Sequence, residues 1–154
     1  MGSTENILQI GLLVVLLLGS GFFSASETSL MSLSKIRIRY MEEEGVKGAK
    51  LVSSLIEKSS DLLSSILVGN NVVNIAATSV STSLFINIFG DGGVAIATAV
   101  MTVLVLIFGE ITPKTIAANS PEKIAVIVSK PISIIMKITK PIVWVFNLLT
   151  GIIF

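Results

Sequence analysis

The sequence predicts an all-α membrane protein: three transmembrane helices, a helical hairpin after the first, and an amphipathic juxtamembrane helix at the C-terminus. Two observations carry this. Hydrophobic residues make up 52% of the 154-residue chain and charged residues 14%, with mean hydropathy +0.90, whereas a soluble domain carries about 25% charge. The apolar residues are also gathered into charge-free runs, residues 7–23, 62–89 and 94–108, and a span needs about 20 mostly apolar residues. The chain has no cysteine and no histidine. That removes disulfides, thiolate chemistry and the commonest soft-metal ligands, so a metal bound here would be a hard cation held by oxygen.

Residues 7–23 form the first span and must borrow Ser24, Ala25 and Ser26 to reach across. Gly19 and Gly21 permit close helix contact or a local distortion. No basic segment precedes this run and no small-residue cleavage site follows it, so it reads as a retained span rather than a signal peptide. Residues 34–60 change character. Lys35, Arg37, Arg39, Lys47, Lys50 and Lys58 alternate with Glu42, Glu43, Glu44 and Glu57 while apolar residues still recur, and Gly45 and Gly48 interrupt the middle. This is the pattern of two amphipathic helices joined near Gly45, at the membrane surface or projecting from it. The basic cluster reads as a cytoplasmic loop rather than a nucleic-acid surface.

Residues 62–89 form a second span, long enough to tilt or kink. Gly90-Asp91-Gly92-Gly93 is a turn by composition, and residues 94–108 carry the third span into Gly109 and Glu110. Pro113 removes an amide donor and disfavours helix at Thr112, which loosens the backbone beside Glu110. Ser120 and Pro121 mark a fresh helix start. Beyond them Lys123, Lys130, Lys137 and Lys140 punctuate an apolar segment that Pro131 and Pro141 are expected to break. A kinked amphipathic helix along the cytoplasmic interface, with Trp144 at headgroup depth, fits this pattern; a fourth span is the alternative. The apolar end at Phe154 reads as a domain cut from a longer protein.

Every Lys and Arg falls in residues 35–58 or 114–140, and the N-terminus and the turn at 87–93 have none. With three spans both basic segments lie on one side, which the positive-inside rule makes the cytoplasm. The N-terminus is then outside and the C-terminus cytoplasmic.

Three polar stretches interrupt the apolar runs: Ser24-Ala25-Ser26-Glu27, Gly69-Asn70-Asn71-Val72-Val73-Asn74 and Gly109-Glu110-Ile111-Thr112-Pro113-Lys114. Polar groups in hydrocarbon are costly and usually face a partner, a cavity or an ion. Asn70 and Asn74 are four apart and share a helix face, and Asn71 nearly shares it with Asn74. Carbonyls freed by Pro113 beside a carboxylate suit a hard cation. The expectation is that the three stretches converge on one cation site. Simpler readings stand beside it: Ser24, Ser26 and Ser29 bonding to carbonyls a turn earlier, asparagines bonding between helices, a plain helix end with an interfacial Glu110–Lys114 pair, and an interfacial Glu27 or one paired with a base such as Lys114.

The residues 23–28 (Phe-Ser-Ala-Ser-Glu-Thr), 67–75 (Leu-Val-Gly-Asn-Asn-Val-Val-Asn-Ile) and 108–114 (Phe-Gly-Glu-Ile-Thr-Pro-Lys) together resemble the transmembrane domain of the CorC/CNNM (cyclin M) magnesium transporters. The likeness covers nearly the whole chain, residues 1–154 as a single domain. It implies three spans, a cytoplasmic hairpin after the first, a belt-like juxtamembrane helix after the third, and a homodimer in the bilayer. It implies continuation into a cytosolic CBS pair, often with a small CorC-type domain, neither of which is in this sequence. It implies magnesium as the bound and transported ion, exported against inward sodium. On this resemblance Ser24, Ser26, Asn70, Asn74 and Glu110 are the expected ligands, with Asn71 in reserve and Glu27 a ligand or a partner of Lys114. Backbone carbonyls near Gly69, Gly109 or Ser24 are needed to complete six oxygens. The other readings are a non-transporting dimeric anchor and Mg2+ sensor, and a membrane enzyme; the absence of histidine, cysteine and a Gly-x-Ser-x-Gly elbow disfavours the enzyme.

Overall fold

A computed structural model of the chain describes residues 2–153, and among them there is no β-strand. The helices are α1 (Gly2–Ser32), α2 (Lys35–Glu43), α3 (Ala49–Glu57), α4 (Ser59–Phe89), α5 (Gly93–Leu104), α6 (Thr112–Asn119) and α7 (Pro121–Ile153). A 3-10 turn, Gly90–Gly92, separates α4 from α5, and a π-helical segment, Val105–Ile111, joins α5 to α6. Three stretches are long and apolar enough to cross a membrane: Ser3–Ser32, Ser59–Asn119 and Pro121–Ile153. The middle one contains the turn at Gly90, whose φ is +71°, and is folded there as a helical hairpin. The chain is a multi-pass α-helical membrane protein. At 1.5 Å per residue α1 is about 46 Å long, more than the ~30 Å hydrocarbon core requires.

The chain divides into two compact units. The first comprises residues 1–24 and 70–115, and the second residues 25–69 and 116–154. In the first, Leu13 of α1, Ala77 of α4 and Met101 of α5 form a buried cluster, packed by Leu16, Leu17, Val80, Leu104 and Val105. The hairpin between α4 and α5 is closed tightly: a Cβ on Gly93 would stand 2.4 Å from the Phe85 carbonyl oxygen, so the chain can return here only at glycine.

In the second unit α2 and α3 form the expected hairpin. Ser34 caps α2, its side chain accepting from the Arg37 amide at 3.1 Å, and Gly45 and Gly48 turn the chain at φ of +73° and +91°, a region that costs other residues strain. α3 buries Ala49, Val52 and Leu55 and packs against α7. Arg37 of α2 pairs with Glu122 in the first turn of α7, where a carboxylate also meets the favourable end of the helix dipole. α7 begins at Pro121, as the sequence indicates, but Pro131 and Pro141 do not break it. It buries Ala125, Val128, Ser129, Ile132, Thr139 and Val143 and leaves Lys123, Lys130, Lys137 and Lys140 exposed. One apolar stripe against protein and one basic margin make it amphipathic, and it is also long and apolar enough to span.

Candidate cation site

Three elements of the first unit pack on one another and carry polar groups. α1 supplies Ser20 and Ser24, α4 supplies Asn70 and Asn74, and the π segment supplies Glu110. Their adjacency is recorded by α1's glycines. A Cβ on Gly19 would touch Val73, the neighbour of Asn74, at 3.4 Å; one on Gly21 would meet the Phe108 carbonyl at 2.9 Å and Pro113 at 3.1 Å. From the other side, a Cβ on Gly109, next to Glu110, would stand 2.7 Å from Ser20 Oγ. One turn of α1 is thus held against α4 on one flank, at ordinary van der Waals distance, and against the π segment on the other, at a separation that favours glycine.

The hydrogen bonding separates polar residues that serve their own helix from those that do not. Thr78 and Thr82 bond back to the carbonyls of Asn74 and Thr78 at 2.9 and 2.8 Å, and Ser29 bonds to the Ser26 carbonyl at 3.3 Å. Asn74 Nδ2 donates to Asn70 Oδ1 at 3.4 Å, as their spacing predicts. Against these, Ser20 Oγ, Ser24 Oγ and Asn74 Oδ1 are buried and, among the described residues, have no hydrogen-bond partner. Buried oxygens are ordinarily satisfied, and these three lie on the two helices facing each other across Gly19 and Val73.

The backbone beside Glu110 adds a fourth oxygen. Thr112 N–H donates to the Ile107 carbonyl, five residues back, and Pro113 has no N–H. The Phe108 carbonyl therefore loses both its α-helical donor, Thr112, and its π-helical donor, Pro113. This is the carbonyl that Gly21 admits to the surface of α1. The helix does not end here, since α6 follows directly, so a plain helix end does not describe the stretch. The Glu110–Lys114 pair does form, at 3.2 Å, with the Glu110 side chain 27% exposed.

Of the other expected ligands, Asn71 is exposed, while Ser26 is buried and Glu27 half-buried on the part of α1 that belongs to the second unit. Ser20 was not among the residues singled out from the sequence. Its four-residue spacing to Ser24 was the available signal, but only its placement opposite Gly109 gives it meaning. Among the described residues no group of three or more His, Cys, Asp or Glu could hold a metal, so any cation here meets mainly neutral oxygen.

Fold and site define a polytopic membrane domain with buried, unsatisfied oxygens on packed helices of one unit. The chain belongs to the cyclin M transmembrane N-terminal domain family, whose model matches residues 11–154. It is 45% identical over 139 residues to a UPF0053 protein of Haemophilus influenzae, covering 90% of this chain and 33% of that protein. It is 44% identical over 131 residues to the UPF0053 inner membrane protein YfjD of Escherichia coli, covering 85% of this chain and 31% of that protein. A more distant relative, 27% identical over 159 residues, is the polyamine export protein of Escherichia coli, of which 36% is covered. The chain thus spans about a third of the length of these curated relatives.

Proposed function

We propose that the first unit binds Mg2+ and passes it across the membrane, with Ser20, Ser24, Asn70, Asn74, Glu110 and the Phe108 carbonyl as its oxygens. The observation that carries this is the set of buried, unsatisfied oxygens on α1 and α4 beside a carbonyl that Pro113 leaves without a donor. Mg2+ requires about six oxygens near 2.1 Å and surrenders water reluctantly. One carboxylate among neutral ligands holds a divalent ion weakly enough to let it go, which transport needs. Lys114 balances Glu110 until the ion arrives. Asn71 remains a candidate for a hydrated outer ring. The reading carries with it a homodimer, a cytosolic CBS pair in a longer protein, and inward Na+ as the coupling ion.

Glu110→Ala is expected to abolish Mg2+ binding by calorimetry and Mg2+ flux from liposomes; wild-type affinity in that variant would remove Glu110 from the site. Intact binding with no flux above empty vesicles favours the anchor and Mg2+ sensor. A second cargo is raised by the polyamine export relative and by the lack of an acidic cluster: a site that takes spermidine in preference to Mg2+ in the same flux assay would be a polyamine pathway.

A further inference from the structure

The second unit contains a cleft of about 620 Å³ between α3, the first turns of α4, and α7. Its inner wall is apolar, with buried Leu55 and Val143. Lys58, Lys137 and Lys140 line it, with Asp61 the one acidic residue among its lining residues, and Trp144 lies along it with 64% of its surface exposed. The cleft is built rather than incidental: Thr139 Oγ1 donates to Ser65 Oγ at 3.0 Å, a buried bond that ties α7 to α4 at its inner edge. Its depth in the membrane follows from the sequence. Lys58 and Asp61 are the last charged residues before the charge-free run that opens at Leu62, so the cleft lies where that span leaves the hydrocarbon. Lysine and tryptophan are the residues expected at that level.

We propose that this cleft binds the headgroup of an anionic phospholipid, its phosphodiester among Lys58, Lys137 and Lys140 and its acyl chains along Leu55, Val143 and Trp144. Three ammonium groups against one carboxylate favour an anion. The apolar wall and the exposed indole give a lipid a footing that free phosphate would not use. The inference does not depend on which cation the first unit carries.

Trp144 is the only tryptophan in the chain, so its fluorescence reports on this cleft alone. The full chain is reconstituted in phosphatidylcholine vesicles containing a minor fraction of brominated-chain phosphatidylglycerol or, at the same fraction, brominated-chain phosphatidylcholine. Quenching is expected to be several-fold stronger with phosphatidylglycerol. Lys137→Gln/Lys140→Gln should abolish that preference, since each lysine is worth about fivefold in affinity for an anionic lipid. Lys123→Gln/Lys130→Gln, which removes the same charge from α7 outside the cleft, should leave it in place. Both cleft lysines are exposed, so either single variant gives the same readout in a smaller step should the double variant fold poorly. Equal quenching by the two lipids, or equal loss in the two double variants, would overturn the proposal. So would displacement of phosphatidylglycerol by excess inorganic phosphate, which would make the cleft a site for a soluble anion.

Discussion

Ser24 and Ser29 are buried serines of the same helix, yet Ser29 Oγ bonds to a carbonyl of its own turn and Ser24 Oγ bonds to nothing among the described residues. Leaving a buried hydroxyl unsatisfied costs about 1–3 kcal/mol. Ser24→Ala should therefore raise the Tm measured without Mg2+ and reduce the further rise that Mg2+ produces. Ser29→Ala should leave the Mg2+-dependent rise whole. A Ser24→Ala protein with the full Mg2+ shift, followed by scanning fluorimetry, would take Ser24 out of the ligand set. Composition could not separate these two serines, because both fit the same local pattern and only the neighbouring helices distinguish them. Asn70 and Asn74 were legible because their relation is one helical turn within a single element. Ser20 was not, because its significance lies in Gly109, some ninety residues on.

The π segment shows what a proline signal does and does not disclose. Pro113 pointed to disturbed backbone beside Glu110, and the disturbance is there, but it takes the form of a wider turn upstream while the helix runs on into α6. Pro113 is the second residue of α6, directly after the π segment, and such a local π adjustment is how a continuous helix accommodates a proline. Pro131 and Pro141 were expected to break α7 and do not; each removes one amide donor, a loss that α7, buried on one stripe between Ala125 and Val143, tolerates. Pro113→Ala restores the missing donor and lets the segment return to α geometry, which would turn Glu110 by about 100° relative to α5. Helicity by circular dichroism should be unchanged, while Mg2+ affinity by calorimetry should fall about 10- to 100-fold, the scale on which misaligned ligand support acts. Unchanged affinity would mean that the π geometry does not position Glu110.

For the molecule as a whole, hydropathy and charge placement made the class readable, while the division into two units was not, since the boundary at residues 24–25 and 69–70 falls inside unbroken helices. Sidedness is testable because the chain has no cysteine of its own. Gly92 has open space around its missing side chain and a φ of −76° that any residue adopts, so Gly92→Cys should fold. A membrane-impermeant maleimide should label Gly92→Cys from outside intact cells and Lys47→Cys, in the α2–α3 turn, only after lysis. The reverse pattern would invert the orientation. The same turn sets the mechanics of the first unit. With Gly93 seated on the Phe85 carbonyl, the α4–α5 hairpin is shut at one end, and Asn70 lies about 22 Å along α4 from that closure. At the end of such a lever arm a pivot of about 6° sweeps Asn70 through about 2.3 Å, more than the ~2.1 Å that separates Mg2+ from an oxygen ligand. A rotation too small to disturb the packing at the fulcrum is large enough to assemble or disperse a coordination shell at the tip.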